Sequence, residues 1–491
     1  MVARKPLIDG SVVVIGAGPA GLTAGYELIR FGCAPTILEA SSSVGGIART
    51  EWHNGYGFDI GGHRFFTKIP EVQRLWEEVM LDDFLKVRRM SRIHFRGRFF
   101  DYPLSVSNVL KNLGPVESAR MVLSYFKAQL LRTGDEETFE QWVTNRFGGR
   151  LFCVFFKTYT ERVWGMPCNQ IRADWAAQRI KGLSFWSALT NAVFGTRGVK
   201  SLIEEFRYPK LGPGMMWEKF ADRVEAGGGK VLKEMKVMVV RRDGSRITSV
   251  VCQNGQEVRE FPADSVISSM PLTELVRKLD PPPPEDVLKA ASGLRYRDFI
   301  LVALQVDRAK LFPDNWIYVH TPSVKVGRIQ NFGNWSSAMV ADKNASSIGM
   351  EYFCNEGDEL WATSDADLIA LATRELATLG LANDGKVIGG AVIRQKKAYP
   401  VYDADYSGYV KVIRQYLDGF DNLQTVGRNG MHRYNNQDHS MLTAMLAVRN
   451  LMGAKHDLWE VNTERSYHEE MSVNAKRADA GPAHAVAPII A

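Results

Sequence analysis

Gly16, Gly18 and Gly21 stand with the spacing G-x-G-x-x-G in the stretch SVVVIGAGPAGLTAGYELIRFGCAPTILEA. Glycines in that pattern suit the cradling of a pyrophosphate. The first permits a tight turn, the second lets backbone approach the phosphates, and the third lets a helix pack on a strand. The helix N-terminus that follows offers free N–H groups and a partial positive charge. Val12 to Ile15 read as the strand before the turn, and PTILEA as the strand after the helix, ending in Glu39. A carboxylate at that place accepts from ribose hydroxyls, and its charge disfavours a 2′-phosphate.

The next polar groups extend this reading. Gly45 and Gly46 follow the Glu39 strand, and Arg49 follows them. A glycine pair followed by a basic residue resembles the extension found in FAD-dependent enzymes of the amine-oxidase type. The glycines would let the chain run close along the cofactor, and Arg49 would neutralise a phosphate. In GFDIGGHRFF, the backbone of Gly61 and Gly62 is expected to lie against something flat, with His63 next and Phe66 behind it. An imidazole and a backbone N–H there would tune a flavin ring.

From these segments onward the chain resembles UDP-galactopyranose mutase and, more broadly, the flavoprotein clan of amine oxidases and protoporphyrinogen oxidase. The resemblance runs in order through DIGGHRFF, the strand pair RIHFRGRFFDYPL, the helical stretch from TFEQWVTNRF to DWAAQRI, WIYVHTPSVKVGRIQNFGNWS, KKAYPVY and GRNGMHRYNNQDHSM. It implies FAD as cofactor, active in its reduced form, with NAD(P)H as one external reductant. It also implies a nucleotide-linked sugar or glycan precursor as substrate, and a sugar-nucleotide mutase (isomerase) reaction. In that reaction flavin N5 attacks the anomeric carbon, UDP leaves, and the sugar ring opens, recloses and regains UDP.

The resemblance assigns residues in turn. Gly427, Arg428, Gln437 and Asp438 would serve FAD, and Val237 would meet adenine through its backbone. Phe66, Trp164, Arg179, Tyr318, Arg328, Tyr399, Tyr434 and Asn436 would face the substrate. His63, Arg179 and Arg328 are the catalytic candidates, because cations and hydroxyls at fixed positions can hold a pyrophosphate while it is detached. The chain departs from the mutase pattern at Thr160, at Trp335 and just after His63, all at the sugar end. This implies a related reaction on a different glycan, or another flavin reaction on a nucleotide- or lipid-linked sugar.

These residues need scaffolds to position them. A length of 491 residues predicts more than one lobe. The expected fold class is α/β: a discontinuous Rossmann-type FAD-binding domain (1–70, 206–290 and 421–455), a helical substrate lobe (71–205) and a sheet-rich substrate lobe (291–420). Asp-Gly and Asn-Gly pairs in KVMVVRRDGSRITSVVCQNGQEVREF predict hairpin turns. The Ala- and Pro-rich end, 463–491, reads as a mobile tail.

Composition restricts the remaining classes. Apolar residues are 45% and charged residues 24% of the chain, as in soluble globular proteins. No run of membrane-spanning length and no cleavable leader is visible, and five scattered cysteines fit a reducing cytoplasm. The net charge of +6 is modest; it favours an anionic small molecule over nucleic acid. Metal-ligand spacings and G-x-S-x-G are absent, which argues against metal hydrolysis and serine chemistry. Two further readings stay open: an oxidoreductase of amine-oxidase, porphyrinogen-oxidase or desaturase type, and a non-catalytic flavoprotein.

Overall fold

The computed structural model of the 491-residue chain describes residues 10–462, apart from 103, 105, 133, 135, 174–200, 203 and 383–384, together with 470–471. Arg179 and most of the 463–491 tail lie outside the described residues.

Strand β1 (Val12–Ile15) is apolar at every position and buried throughout, as a central strand covered on both faces must be. It pairs in parallel with β2 (Thr36–Leu38) on one side and with Ser265–Ser268 on the other. Lys230–Leu232 and Leu423–Thr425 complete a five-stranded parallel sheet, so segments far apart in sequence meet in one layer. Helix α1 (Pro19–Arg30) begins with proline in its first turn, where a missing N–H costs nothing. It packs against the helices Pro213–Ala226 and Gln437–Leu451.

A seven-stranded sheet forms the other main layer. Its order is Val387–Pro400, Tyr296–Val306, Ser346–Cys354, Arg328–Asn331, Trp316–Val319, Ser91–Phe95, Arg98–Asp101. The last two strands are the strand pair that the resemblance implies in RIHFRGRFFDYPL, within the 71–205 lobe. The Arg96-Gly97 turn closes them into a hairpin, which docks in parallel on Trp316–Val319. A four-stranded sheet contains the two expected hairpins. Asp243 pairs with Arg246 and Asn254 with Glu257, so each glycine takes the first loop position, at φ 56° and 57°.

The helical part supplies one element of the site. The chain from Phe152 to Lys157 forms a π-helical turn that runs into the helix Thr158–Trp164. Such turns place an extra residue in the helix and re-aim the side chains after it. Gly165 ends the helix in the left-handed conformation. The Arg297 guanidinium closes that end, donating to the carbonyls of Val163, Arg162 and Phe353.

Candidate flavin and substrate site

The glycine cradle is built by steric exclusion. A Cβ on Gly21 would lie 1.8 Å from the Gly16 carbonyl oxygen, so helix and turn can touch only without a side chain there. Gly16 itself sits at φ 95°. Gly18 caps α1 with no side-chain hydrogen bond, which leaves that helix end open to a ligand. Gly46 approaches from the second glycine loop: its Cβ would stand 3.3 Å from the Gly18 Cα. Gly45 N–H donates to the Ala17 carbonyl at 2.8 Å and locks the two loops together.

Glu39 holds this arrangement. Its Oε2 accepts from Ala17 N–H at 2.7 Å, and its Oε1 accepts from the Ser41 N–H and hydroxyl. Acceptor capacity remains on Oε2 for a ribose hydroxyl. Arg49 lies against the loop, donating to the Gly46 carbonyl and pairing with Glu51. Val237 is buried in a core cluster with Leu38, just before a bulge in its strand. Gly427, at φ 84°, packs so closely on α1 that its Cβ would lie 3.0 Å from that of Ala20.

The polar stretch before the last helix is largely engaged with protein. Asn436 caps the helix Gln437–Leu451 in a reciprocal box with His439. Gln437 accepts from Trp217 Nε1, and Asp438 accepts from the Thr67 hydroxyl. Arg428 donates to the carbonyls of Asn435 and Ala398 and lies 4.6 Å over the Tyr434 ring.

A second cluster faces the Gly61-Gly62-His63 turn. Tyr318 and Arg328 are cross-strand partners, as are Trp316 and Gln330, so all four side chains share one face of the ladder. Gln330 and Trp335 lie beside Gly62, each 3.6 Å from where its Cβ would be. Arg328 donates through Nη2 to the Tyr399 hydroxyl at 2.7 Å. Tyr399 stacks on Tyr434 at 5.9 Å and meets the edge of Trp164 at 6.4 Å. Phe66 packs on the same apolar cluster. Thus Trp164, Tyr318, Arg328, Tyr399 and Tyr434 are brought together. Asn436 serves the helix end, and Arg179 lies outside the described residues.

The electrostatics keep His63 neutral. Burial, the nearby Arg428 and then Arg328 push its pKa down to about 3, with a Gly61 backbone contact opposing. Its Nδ1 is covered and has no hydrogen-bond partner among the described residues, and the same is true of Gln330 Oε1. Two orphaned polar atoms around an exposed glycine backbone fit a flat heterocycle with donors and acceptors on its edge. The residues present therefore fit a flavin.

Two residues of this cluster escape the sequence reading. Glu351 is fully buried and pairs with Arg328, Nη2 to Oε2 at 2.5 Å, while its Oε1 accepts from Gln330. A lone acid in the otherwise apolar strand SSIGMEYFC was the available signal. Tyr159 stacks on His320 at 4.8 Å and meets Tyr318 edge-on. Nothing in KTYTERVWG marks it, because the π-helical turn that aims it leaves no sequence signature. Among the described residues, no group of three or more His, Cys, Asp or Glu is placed to hold a metal ion.

The sequence model of the flavin containing amine oxidoreductase family matches residues 19–393. The chain belongs to that family. It is thus a flavoprotein of an oxidoreductase family. It is 25% identical over 461 residues to coproporphyrinogen III oxidase of Mycobacterium tuberculosis (strain ATCC 25618 / H37Rv), covering 86% of this chain and 96% of that protein. It is 22% identical over 410 residues to 15-cis-phytoene desaturase of Synechococcus elongatus, covering 75% and 79%. Among solved structures, reduced UDP-galactopyranose mutase superposes with a TM-score of 0.81 at 20% identity, over 93% of this chain and 99% of that one. The fold is therefore that of the mutase and of the amine-oxidase flavoproteins. No helix among the described residues is long and apolar enough to cross a membrane.

Proposed function

We propose that the protein is an FAD-dependent enzyme acting on a nucleotide-linked sugar, as a mutase-like isomerase. The observation that supports this most is the hydroxyl- and guanidinium-rich wall of Arg328, Tyr399, Tyr434, Tyr318 and Tyr159 opposite His63. A site for a hydrocarbon polyene would be lined by apolar groups at this place.

Bound FAD, once reduced, would supply the nucleophilic ring nitrogen at the anomeric carbon. The Gly16–Gly21 turn, Gly46, Gly427 and Glu39 would hold its ADP half. Arg49 would keep the Gly46 loop closed on the phosphates. Arg328 and the Tyr399 and Tyr434 hydroxyls would hold the substrate pyrophosphate as it separates. Glu351 offsets the Arg328 charge, so the nucleotide is held without being trapped. Neutral His63 can donate or accept one hydrogen bond at the flavin edge without adding charge. NAD(P)H is one candidate for the reductant.

A second reading is net oxidation of a substrate, favoured by the relatives named coproporphyrinogen III oxidase. One experiment separates the two. The flavin-loaded protein is titrated with UDP and UDP-sugars before and after dithionite reduction, with oxygen uptake followed. The mutase-like reading expects nucleotide binding and product only from the reduced protein, with no oxygen consumed. Absent nucleotide binding, with the flavin bleached by a porphyrinogen, amine or polyene, would replace it with the oxidase reading.

A further inference from the structure

Arg89 lies on the hairpin arm that enters the seven-stranded sheet, beside the reaction face. Its neighbour Met90 exchanges backbone and side-chain hydrogen bonds with Asn315, which precedes Trp316. The Arg89 guanidinium carbon lies 5.5 Å from the Trp316 ring centre and 5.4 Å from that of Tyr102. Arg64, next to His63, lies 4.9 Å from the same Trp316 ring. Two cations thus meet on one indole.

Arg89 Nε and Nη2 are both covered from solvent and have no hydrogen-bond partner among the described residues. These two nitrogens form the lateral edge of the guanidinium, whose parallel N–H bonds match the two oxygens of a carboxylate. The protein uses that edge this way elsewhere. Arg92 grips Asp314 through Nε and Nη2 at 2.9 and 2.6 Å, and Arg150 grips Glu117 through the same pair. On Arg89 the edge is buried with no acid among the described residues in its grip. Leaving charged donors so placed opposes folding unless something else satisfies them.

The position of the edge names its use. Trp316 and Tyr318 are two residues apart on one strand, hence on one face, about 7 Å apart at the usual rise. Tyr318 faces Arg328, the proposed pyrophosphate anchor. Trp316 also packs on Trp335, which touches the Gly62 turn. Arg89 and Arg328 thus stand by neighbouring rings whose centres are 6.4 Å apart, an arrangement that suits a sugar held at its anomeric phosphate and at an acidic substituent.

We propose that Arg89, with Arg64 beside it on Trp316, forms a carboxylate subsite, and that the substrate sugar is a uronate. This rests on the nucleotide-sugar reading above and specifies its substrate class.

The test compares UDP, UDP-galactose and UDP-galacturonate on the flavin-loaded wild type and on Arg89→Gln and Arg89→Lys. Tryptophan quenching and calorimetry give the affinities. Wild type is expected to bind the uronate at least tenfold more tightly than the hexose. Arg89→Gln is expected to remove that preference while UDP affinity and melting temperature are kept, and Arg89→Lys to retain part of it. An unchanged preference in Arg89→Gln, or no preference in wild type while UDP binds, would overturn the subsite. A fall in melting temperature without a change in preference would make Arg89 structural and would overturn it too. Free galacturonate against galactose keeps the test independent of the nucleotide. If UDP fails to bind, saturable quenching by galacturonate in wild type alone supports the subsite without the nucleotide reading. No such quenching removes both.

Discussion

Arg328 and Glu351 stand opposite each other on two antiparallel strands and form an ion pair in which the carboxylate is fully buried and the guanidinium mostly so. Burial is the largest influence and acts to lower the Arg328 pKa, but Glu351, with Tyr399, Tyr159 and Tyr434 adding to it, raises it on balance, so the cation persists. The pair fixes where the cation points, and it offsets the positive charge that a pyrophosphate would meet.

Breaking that pair has a predictable sign. Glu351→Ala leaves a buried guanidinium uncompensated and should cost about 3–5 kcal/mol of stability, read by urea unfolding. Glu351→Gln keeps acceptor capacity toward Arg328 and should cost less, about 1–2 kcal/mol. By exposing a full positive charge, it should tighten UDP binding roughly tenfold at low salt, and the gain should fade as salt is added. Unchanged or weaker UDP binding would place the pyrophosphate away from Arg328.

Tyr399→Phe isolates the hydroxyl that accepts from Arg328 at 2.7 Å. The stack on Tyr434 depends on the ring and should survive. Stability should fall by about 1 kcal/mol, the net worth of one hydrogen bond. UDP affinity should fall several-fold, as measured by calorimetry. A loss of several kcal/mol in stability with intact UDP binding would make this hydroxyl a purely structural tie.

The glycines of the cradle should divide into two classes. Gly21→Ala drives a Cβ into the Gly16 carbonyl oxygen at 1.8 Å, so the turn itself must shift. It should destabilise the fold by about 1–3 kcal/mol or more. Gly18→Val adds bulk where only Gly46 stands near, 3.8 Å from the first added carbon. It should leave the melting temperature of flavin-free protein nearly unchanged while flavin content falls sharply. Full flavin loading in Gly18→Val would remove this turn from the cofactor site.

The glycine turn was legible because its constraints are local. Gly16, Gly18, Gly21 and Glu39 need only a strand, a turn and a helix, and the apolar run Val12 to Ile15 announces them. The Asp-Gly and Asn-Gly hairpins were legible for the same reason. The Arg328 cluster depends on register between distant strands. That Trp316 and Gln330 share a face with Tyr318 and Arg328 follows from pairing that no local pattern states. The hairpin Ser91–Asp101 was legible as a strand pair through the resemblance, but its docking on Trp316–Val319, more than two hundred residues away, was not. Glu351 was overlooked although a single acid in an apolar strand asks for a buried cation. Asn436 stands at a helix N-cap, and a helix cap and a ligand loop use the same residue types.

Buried titratable groups make stability depend on pH in two opposed ways. His320 and His432 are buried neutral: burial pushes their pKa values down to about 3 and about 4, helped at His320 by Arg162 and resisted at His432 by the Val401 carbonyl. Below about 6.5 the unfolded chain binds protons that the folded chain refuses, so each of these histidines lowers stability as pH falls toward 4, by up to about 1.4 kcal/mol per unit. Asp59 acts in reverse. Burial raises its pKa to about 7, although Tyr208 and Thr50 donate to it, so it stays protonated where an unfolded aspartate, at about 3.9, has ionised. Its contribution is complete at low pH and is lost as pH rises toward 7. His63 acts in the same sense, so between pH 4 and 6.5 these three histidines outweigh the one carboxyl, and stability should rise with pH. Asp59→Asn removes the opposing slope, so the rise should steepen by up to about 1.4 kcal/mol per unit. Urea midpoints at pH 4.5, 5.5 and 6.5 read this directly. An Asp59→Asn profile parallel to wild type would mean that Asp59 is ionised in the folded protein.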